Sequence, residues 1–189
     1  MMRDDLTRLE AAVDHALATG DASRLEVVGY GEITLVVKWT VDGRTVACKR
    51  LPGLAGDAAF AAYRECVASY IALLAERGVV VPDTAVEAVP RPDGTVTAYC
   101  VQPVLAASSL LPKRLQGAGP SEVLKVAAAL VERIAGCIDP RLGLDAQRSN
   151  WAWGDDGLRF LDISTPFVRD ARGRESFDVE LHLASVPWA

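Results

Sequence analysis

Asp145-Ala-Gln-Arg-Ser-Asn150, followed by Arg159-Phe-Leu-Asp162-Ile163, is the stretch on which the reading of this chain turns. An acid stands first, an amide five positions on, and a second acid twelve residues beyond the amide, at the end of an apolar run. Each has a plain reading when taken singly. Ser-Asn pairs are common in turns, and Asp162 with Ser164 and Thr165 can start one. A carboxylate directly after Phe160-Leu161 is nevertheless costly if unpaired, so Asp162 calls for a cation or a donor. Between the two acids, Asn150–Trp153 and Leu158–Leu161 form a hairpin about Asp155-Asp-Gly157.

Working outward, Ser121-Glu122 opens a helix with Val123, Val126, Leu130 and Ile134 on one face, ending at Gly136, and Asp139-Pro140 leads into the Asp145 loop. Before it, Gln102-Pro103 through Pro120 reads as a connector. The N-terminal part is different in character. Leu6, Leu9, Val13 and Leu17 recur at helical spacing and predict an amphipathic helix over residues 1–20. Three short strands follow at Val27–Gly31, Thr34–Trp39 and Thr45–Lys49, with Asp42-Gly43 as the turn between the second and third. Pro52 and two glycines break the chain. Asp57 then caps a long helix to about Arg77, with Phe60, Val67, Ile71 and Leu74 as apolar positions. Val79–Pro82 leads into more strand, and Thr84–Val89 and Thr95–Val101 flank the turn Pro90–Gly94. The expected division is residues 1–20, 21–103, a connector 104–120, and 121–189.

The 189 residues are half hydrophobic and carry a net charge of -5, which gives no reason to expect nucleic acid. The N-terminus lacks the apolar core of a signal peptide, and no apolar run reaches the eighteen or so residues of a membrane span. Cys48, Cys66, Cys100 and Cys137 are widely spaced, as befits buried thiols rather than a metal site. The expected setting is cytoplasmic, with no membrane.

Three further motifs fall in order upstream of Asp145. Gly29-Tyr-Gly31-Glu-Ile-Thr34-Leu-Val36 fits a glycine-rich hairpin whose backbone N–H groups can approach phosphates. Val46-Ala-Cys-Lys49 ends an apolar strand on a lysine, and Glu65 lies within the next helix. Together with the downstream acids these resemble the protein-kinase-like fold, and more closely its small-molecule branch, the aminoglycoside and choline phosphotransferases. The resemblance covers roughly residues 25–165. It implies an α+β, bilobal fold, with an N-terminal antiparallel sheet plus one long helix and a short, mainly helical C-terminal lobe.

The resemblance implies ATP and Mg2+ as cofactors and a hydroxyl-bearing small molecule as acceptor. Asp145 is then the catalytic base, and Asn150 and Asp162 hold the metal. Lys49, oriented by Glu65, reaches the α- and β-phosphates; Gly29, Gly31 and Thr34 cover them; and the backbone at Gln102 receives the adenine. The chain departs from the family pattern in having Thr34 for the third glycine, Gly143 where a loop-anchoring His is usual, and Gln147 where many protein kinases have Lys. Ile163-Ser164 also stands in place of Phe-Gly. Two other readings stand beside a small-molecule kinase: a nucleotide-binding pseudokinase or scaffold without turnover, and a peptide or protein Ser/Thr kinase. Transfer of AMP is a further chemistry such a fold allows.

Only residues 166–189 follow Thr165, with Phe177–Leu183 as a further helix. The expectation is a truncated piece of a longer protein, or a minimised fold whose acceptor pocket is completed by a homodimer or a partner protein.

Overall fold

The computed structural model describes residues 2–30 and 34–176, and the backbone but not the side chain of Tyr30. The fold is α+β. An antiparallel sheet of five strands has the order β1-β2-β3-β5-β4, and a second, two-stranded sheet pairs β6 with β7. The strands are β1 (Glu26–Tyr30), β2 (Leu35–Val41), β3 (Arg44–Leu54), β4 (Ala85–Pro90), β5 (Val96–Pro103), β6 (Trp151–Gly154) and β7 (Gly157–Phe160). The helices are α1 (Met2–Thr19), α2 (Gly56–Glu76), α3 (Leu111–Arg114) and α4 (Pro120–Cys137). The chain divides into two compact units. Among the described residues, the first holds those up to Arg64 together with Asp83–Val104, and the second holds Glu65–Pro82 and residues 105–176.

In the first unit, alternation along β2 and β3 sends Val37, Val41 and Cys48 to one face of the sheet. There they meet Leu6, Leu9 and Val13 of α1, along with Val89, Tyr99 and Val101. At the β2–β3 turn Asp42 has φ 49° and Gly43 φ 73°, the pair of positive values that a tight two-residue hairpin needs. The turn is also tied to α1, because the Asp42 amide donates to Asp5 at 2.8 Å. The break expected at Pro52 does not occur. Strand β3 runs on to Leu54, and its register against β5 shifts between Arg50 and Gly53. A bulge is where a sheet tolerates a residue with no N–H. Gln102-Pro103, expected in the connector, instead completes β5, with Gln102 opposite Ala47.

The second unit contains most of α2. Its buried positions are Tyr63, Val67, Tyr70 and Leu74, whereas the sequence spacing pointed to Phe60, Val67, Ile71 and Leu74. The buried stripe is thus turned toward the two tyrosines. The helix ends at Gly78 (φ 71°). The Gly78 amide donates to Ala75 and that of Val79 to Leu74, which is the Schellman arrangement. Val79–Pro82 forms not a strand but a single parallel bridge, Val80 to Arg159.

Helix α4 starts at Pro120 behind Gly119, one residue before the expected Ser121, with no side-chain cap. Of its expected apolar face only Val126 is fully buried, while Val123 remains 38% exposed. Trp151 and Phe160 face each other across β6–β7 with ring centroids 5.0 Å apart. Trp153, on the alternate face, lies under Arg114 and Lys125.

Cys48, Cys100 and Cys137 are buried and Cys66 half-buried, all as free thiols. Among the described helices only α2 is long and apolar enough, by length and composition, to cross a bilayer. Core helices pass the same test, and Arg64 and Glu65 lie in its middle.

Candidate active site

The Asp145 loop is built by backbone ties at both ends. On one side the Gly143 amide donates to the Phe167 carbonyl at 2.9 Å, and Leu142 bridges Val168. On the other the hydroxyl of Tyr70, a fully buried residue of α2, donates to the Gly143 carbonyl at 3.0 Å. Gly143 stands where the kinase-like pattern would carry a loop-anchoring His. A Cβ there would come within 3.3 Å of the Phe167 Cβ, tighter than ordinary van der Waals contact. The place a side chain would need is occupied, and the anchoring bond comes from Tyr70.

Asp145 is half-buried, and its Oδ1 accepts from the Gln147 amide at 3.0 Å. This local turn aims the carboxylate and leads into the 3₁₀ turn Arg148–Asn150. Asn150 joins the β6–β7 ladder: its carbonyl accepts from the Leu161 amide at 2.9 Å, continuing the register in which Trp151 faces Phe160. Asp162 is the next residue. The hairpin therefore brings Asn150 and Asp162 together at its open end. The Asp162 Oδ1 accepts from the Ser164 hydroxyl at 2.9 Å, and Ser164 is buried.

Burial first, and then the charges of Asp162, Cys137 and Asp145, push the Tyr70 phenol far above its ordinary value. The phenol stays protonated and remains a donor at any working pH.

Asn150 and Asp162 offer hard oxygen donors of the kind magnesium prefers. That ion commonly takes one or two carboxylates and completes its shell with water and phosphate oxygens. The donor set fits such an ion by chemistry. Among the described residues no group of three or more His, Cys, Asp or Glu forms a metal-holding cluster.

In the first unit, Lys49 lies on β3 between Val36 of β2 and Cys100 of β5. It is half-buried on the sheet face opposite Cys48. Glu65 is exposed on α2 and belongs to the second unit. Gly29 pairs with Val36 beside a register shift in β1. A Cβ at Gly29 would make only ordinary contact, at 3.7 Å, with Val36. Thr34 is buried directly before β2, and Gly31 lies outside the described residues, as does the expected helix over 177–183. The Gln102 backbone belongs to the β3–β5 ladder, and its side-chain amide donates to Thr84 at 3.0 Å.

Two groups of residues escaped the sequence reading. Tyr70, with the buried tyrosine stripe of α2 to which it belongs, is one. Its only early sign is helical spacing, since Tyr63, Val67, Tyr70 and Leu74 are separated by four, three and four positions. The other is a buried cluster on Glu10, which is 2% exposed. Glu10 accepts from Arg50 Nε and Nη2 at 2.9 and 2.7 Å, from Arg91 at 2.9 Å, from Thr97 at 2.9 Å and from the Tyr99 hydroxyl. Arg91 also grips Asp14 with both terminal nitrogens.

Residues 8–189 match the model of a family of unknown function (DUF6206), so the chain belongs to that family. No curated protein matches it.

Proposed function

We propose that this DUF6206 chain has a protein-kinase-like, bilobal architecture and transfers the γ-phosphate of ATP to a hydroxyl of a small molecule. One observation carries the reading: the Asn150 carbonyl accepts from the Leu161 amide, so one hairpin sets Asn150 beside Asp162, and the loop that carries Asp145 runs directly into that hairpin. That pairing within one unit supports reading the amide and the second acid as partners.

In this reading Asp145 accepts the proton of the acceptor hydroxyl. The acceptor oxygen bonds to the γ-phosphorus, the bond from that phosphorus to the β,γ-bridging oxygen breaks, and ADP leaves with its electron pair. The short turn through Gln147 keeps the carboxylate pointed, and Tyr70 keeps the loop backbone in place. Asn150 and Asp162 would hold magnesium, which supplies charge neutralisation on the phosphates. Lys49 is the cation assigned to the α- and β-phosphates. Gln147 in place of Lys favours a metabolite acceptor over a peptide.

The test is calorimetric titration with a non-hydrolysable ATP analogue, with and without magnesium, followed by an acceptor screen. Asp162→Asn should remove magnesium-dependent binding. Asp145→Asn should leave binding intact and lower transfer by roughly 10²–10⁴-fold, the usual contribution of a general base. Equal loss of binding in both variants contradicts the separate roles. Binding by the wild type with no turnover on any acceptor would favour a nucleotide-binding module, and no binding in any condition rejects the site.

A further inference from the structure

Helix α4 is apolar on two opposite sides. One side carries Val126 and Cys137 into the second unit. The other presents Leu124 and Val131, 70% and 65% exposed, with Ala128 and Ala135 also exposed between and beyond them. These four positions are spaced by four, three and four residues, which is one continuous stripe at helical period. Ile138, 49% exposed, extends it past the helix end. Leucine and valine of this exposure, aligned over three turns, form a patch rather than scattered single apolar residues.

We propose that this stripe is a self-association surface, on which α4 of a second copy of this chain packs antiparallel about a two-fold axis. The argument is self-complementarity in both shape and charge. In an antiparallel pair centred between Ala128 and Val131, each Leu124 meets the partner's Ala135 and each Ala128 meets the partner's Val131. Large side chains then fall on small ones along the whole seam, which lets the helices approach closely.

The same register sets Lys125 opposite the partner's Glu132 along one edge. Both are exposed, and they are seven residues, two turns, apart on that edge. A two-fold axis makes every such contact occur twice, so the edge forms two opposite-charge pairs. A parallel pair would instead leave the Lys125 and Glu132 of the two copies on opposite sides of the seam, with neither charge paired across it. The Lys125 ammonium lies 5.7 Å from the Trp153 ring, an exposed contact too weak to hold the side chain away from a carboxylate.

Sedimentation of the full chain over the micromolar range tests this. The wild type should pass from the 20.2 kDa monomer to a dimer as concentration rises. Val131→Glu should abolish the dimer. It replaces an exposed side chain with a better helix former, so the monomer keeps its fold and its circular dichroism. Lys125→Glu should weaken association roughly three- to tenfold at low salt, as two exposed pairs predict, and Lys125→Glu with Glu132→Lys should restore it.

A wild type that stays monomeric at every concentration overturns the proposal and leaves the stripe to a different partner. A dimer that survives Val131→Glu overturns it as well, and failure of the double reversal to restore association overturns the antiparallel register. None of these outcomes depends on nucleotide binding.

Discussion

Tyr70 shows how a single atom joins fold to chemistry. Its hydroxyl is the side-chain donor to the loop that carries Asp145, and burial keeps it protonated. Tyr70→Phe removes one oxygen and leaves the ring packed, so the loss reduces to one hydrogen bond and an under-satisfied Gly143 carbonyl. The expected cost is about 1 kcal/mol, read as a lower urea midpoint at unchanged slope. If the proposed function holds, the same variant lowers turnover and leaves affinity for the ATP analogue unchanged, because the loop and not the phosphate ligands has shifted. An unaltered midpoint would show that Gly143 does not depend on this bond.

At the scale of elements, α1 is held to the sheet by the apolar Leu6, Leu9 and Val13 and by polar ties, of which the most buried is Glu10. A carboxylate this buried is tolerable only because five donors from Arg50, Arg91, Thr97 and Tyr99 reach it. Removing it strands the Arg50 guanidinium and the Thr97 and Tyr99 hydroxyls, while Arg91 keeps Asp14, so Glu10→Ala should destabilise by about 3–5 kcal/mol, the usual cost of breaking a buried ion pair from one side. Denaturant unfolding measures it, and a cost under about 1 kcal/mol would mean Arg50 finds water instead. The apolar half of this docking is legible in the sequence as a 3.6-residue period, and the polar half is not. Glu10 meets partners 40, 81, 87 and 89 residues away, and no local pattern announces pairing over such distances. The same limit explains the site. The closeness of Asn150 to Asp162 is readable because a short hairpin folds between them, whereas Tyr70 reaches Gly143 across 73 residues. The turn of α2 toward Tyr63 and Tyr70 was missed for a related reason. Tyrosine reads as amphipathic, and only its partners, the Cys100 thiol and the Gly143 carbonyl, make it a core residue. The continuation of β3 through Pro52 needed a bulge, which is a property of the strand pair and not of one segment.

For the molecule as a whole, acid is the condition that should unfold it, and the sign follows from its carboxylates. Burial alone would raise Glu10, but its hydrogen bonds to Arg50 and Tyr99 and the Arg50 charge outweigh that and hold it below the ordinary glutamate range. The surface carboxylates Asp93, Asp139 and Asp170, the last two half-buried, are also lowered, by Thr95, by Arg77 and by the Arg174 backbone respectively. A carboxylate whose folded pKa is depressed contributes stability that is complete above its unfolded value, about 3.9 for Asp and 4.3 for Glu. That contribution is lost as pH falls through the folded value, because the unfolded chain takes up protons first. Stability should therefore be level from neutrality to about pH 5 and decline below about pH 4. Salt separates the contributors. The surface aspartates act through solvent and fade as ionic strength rises, whereas the Glu10 pairs are shielded from it. The acid limb that survives high salt should then belong to Glu10. Glu10→Gln should start from lower stability at neutral pH and show a shallower limb that converges on the wild type in acid, measured as urea midpoints at each pH in low and high salt. Parallel limbs for the two proteins at high salt would assign the acid sensitivity to other groups.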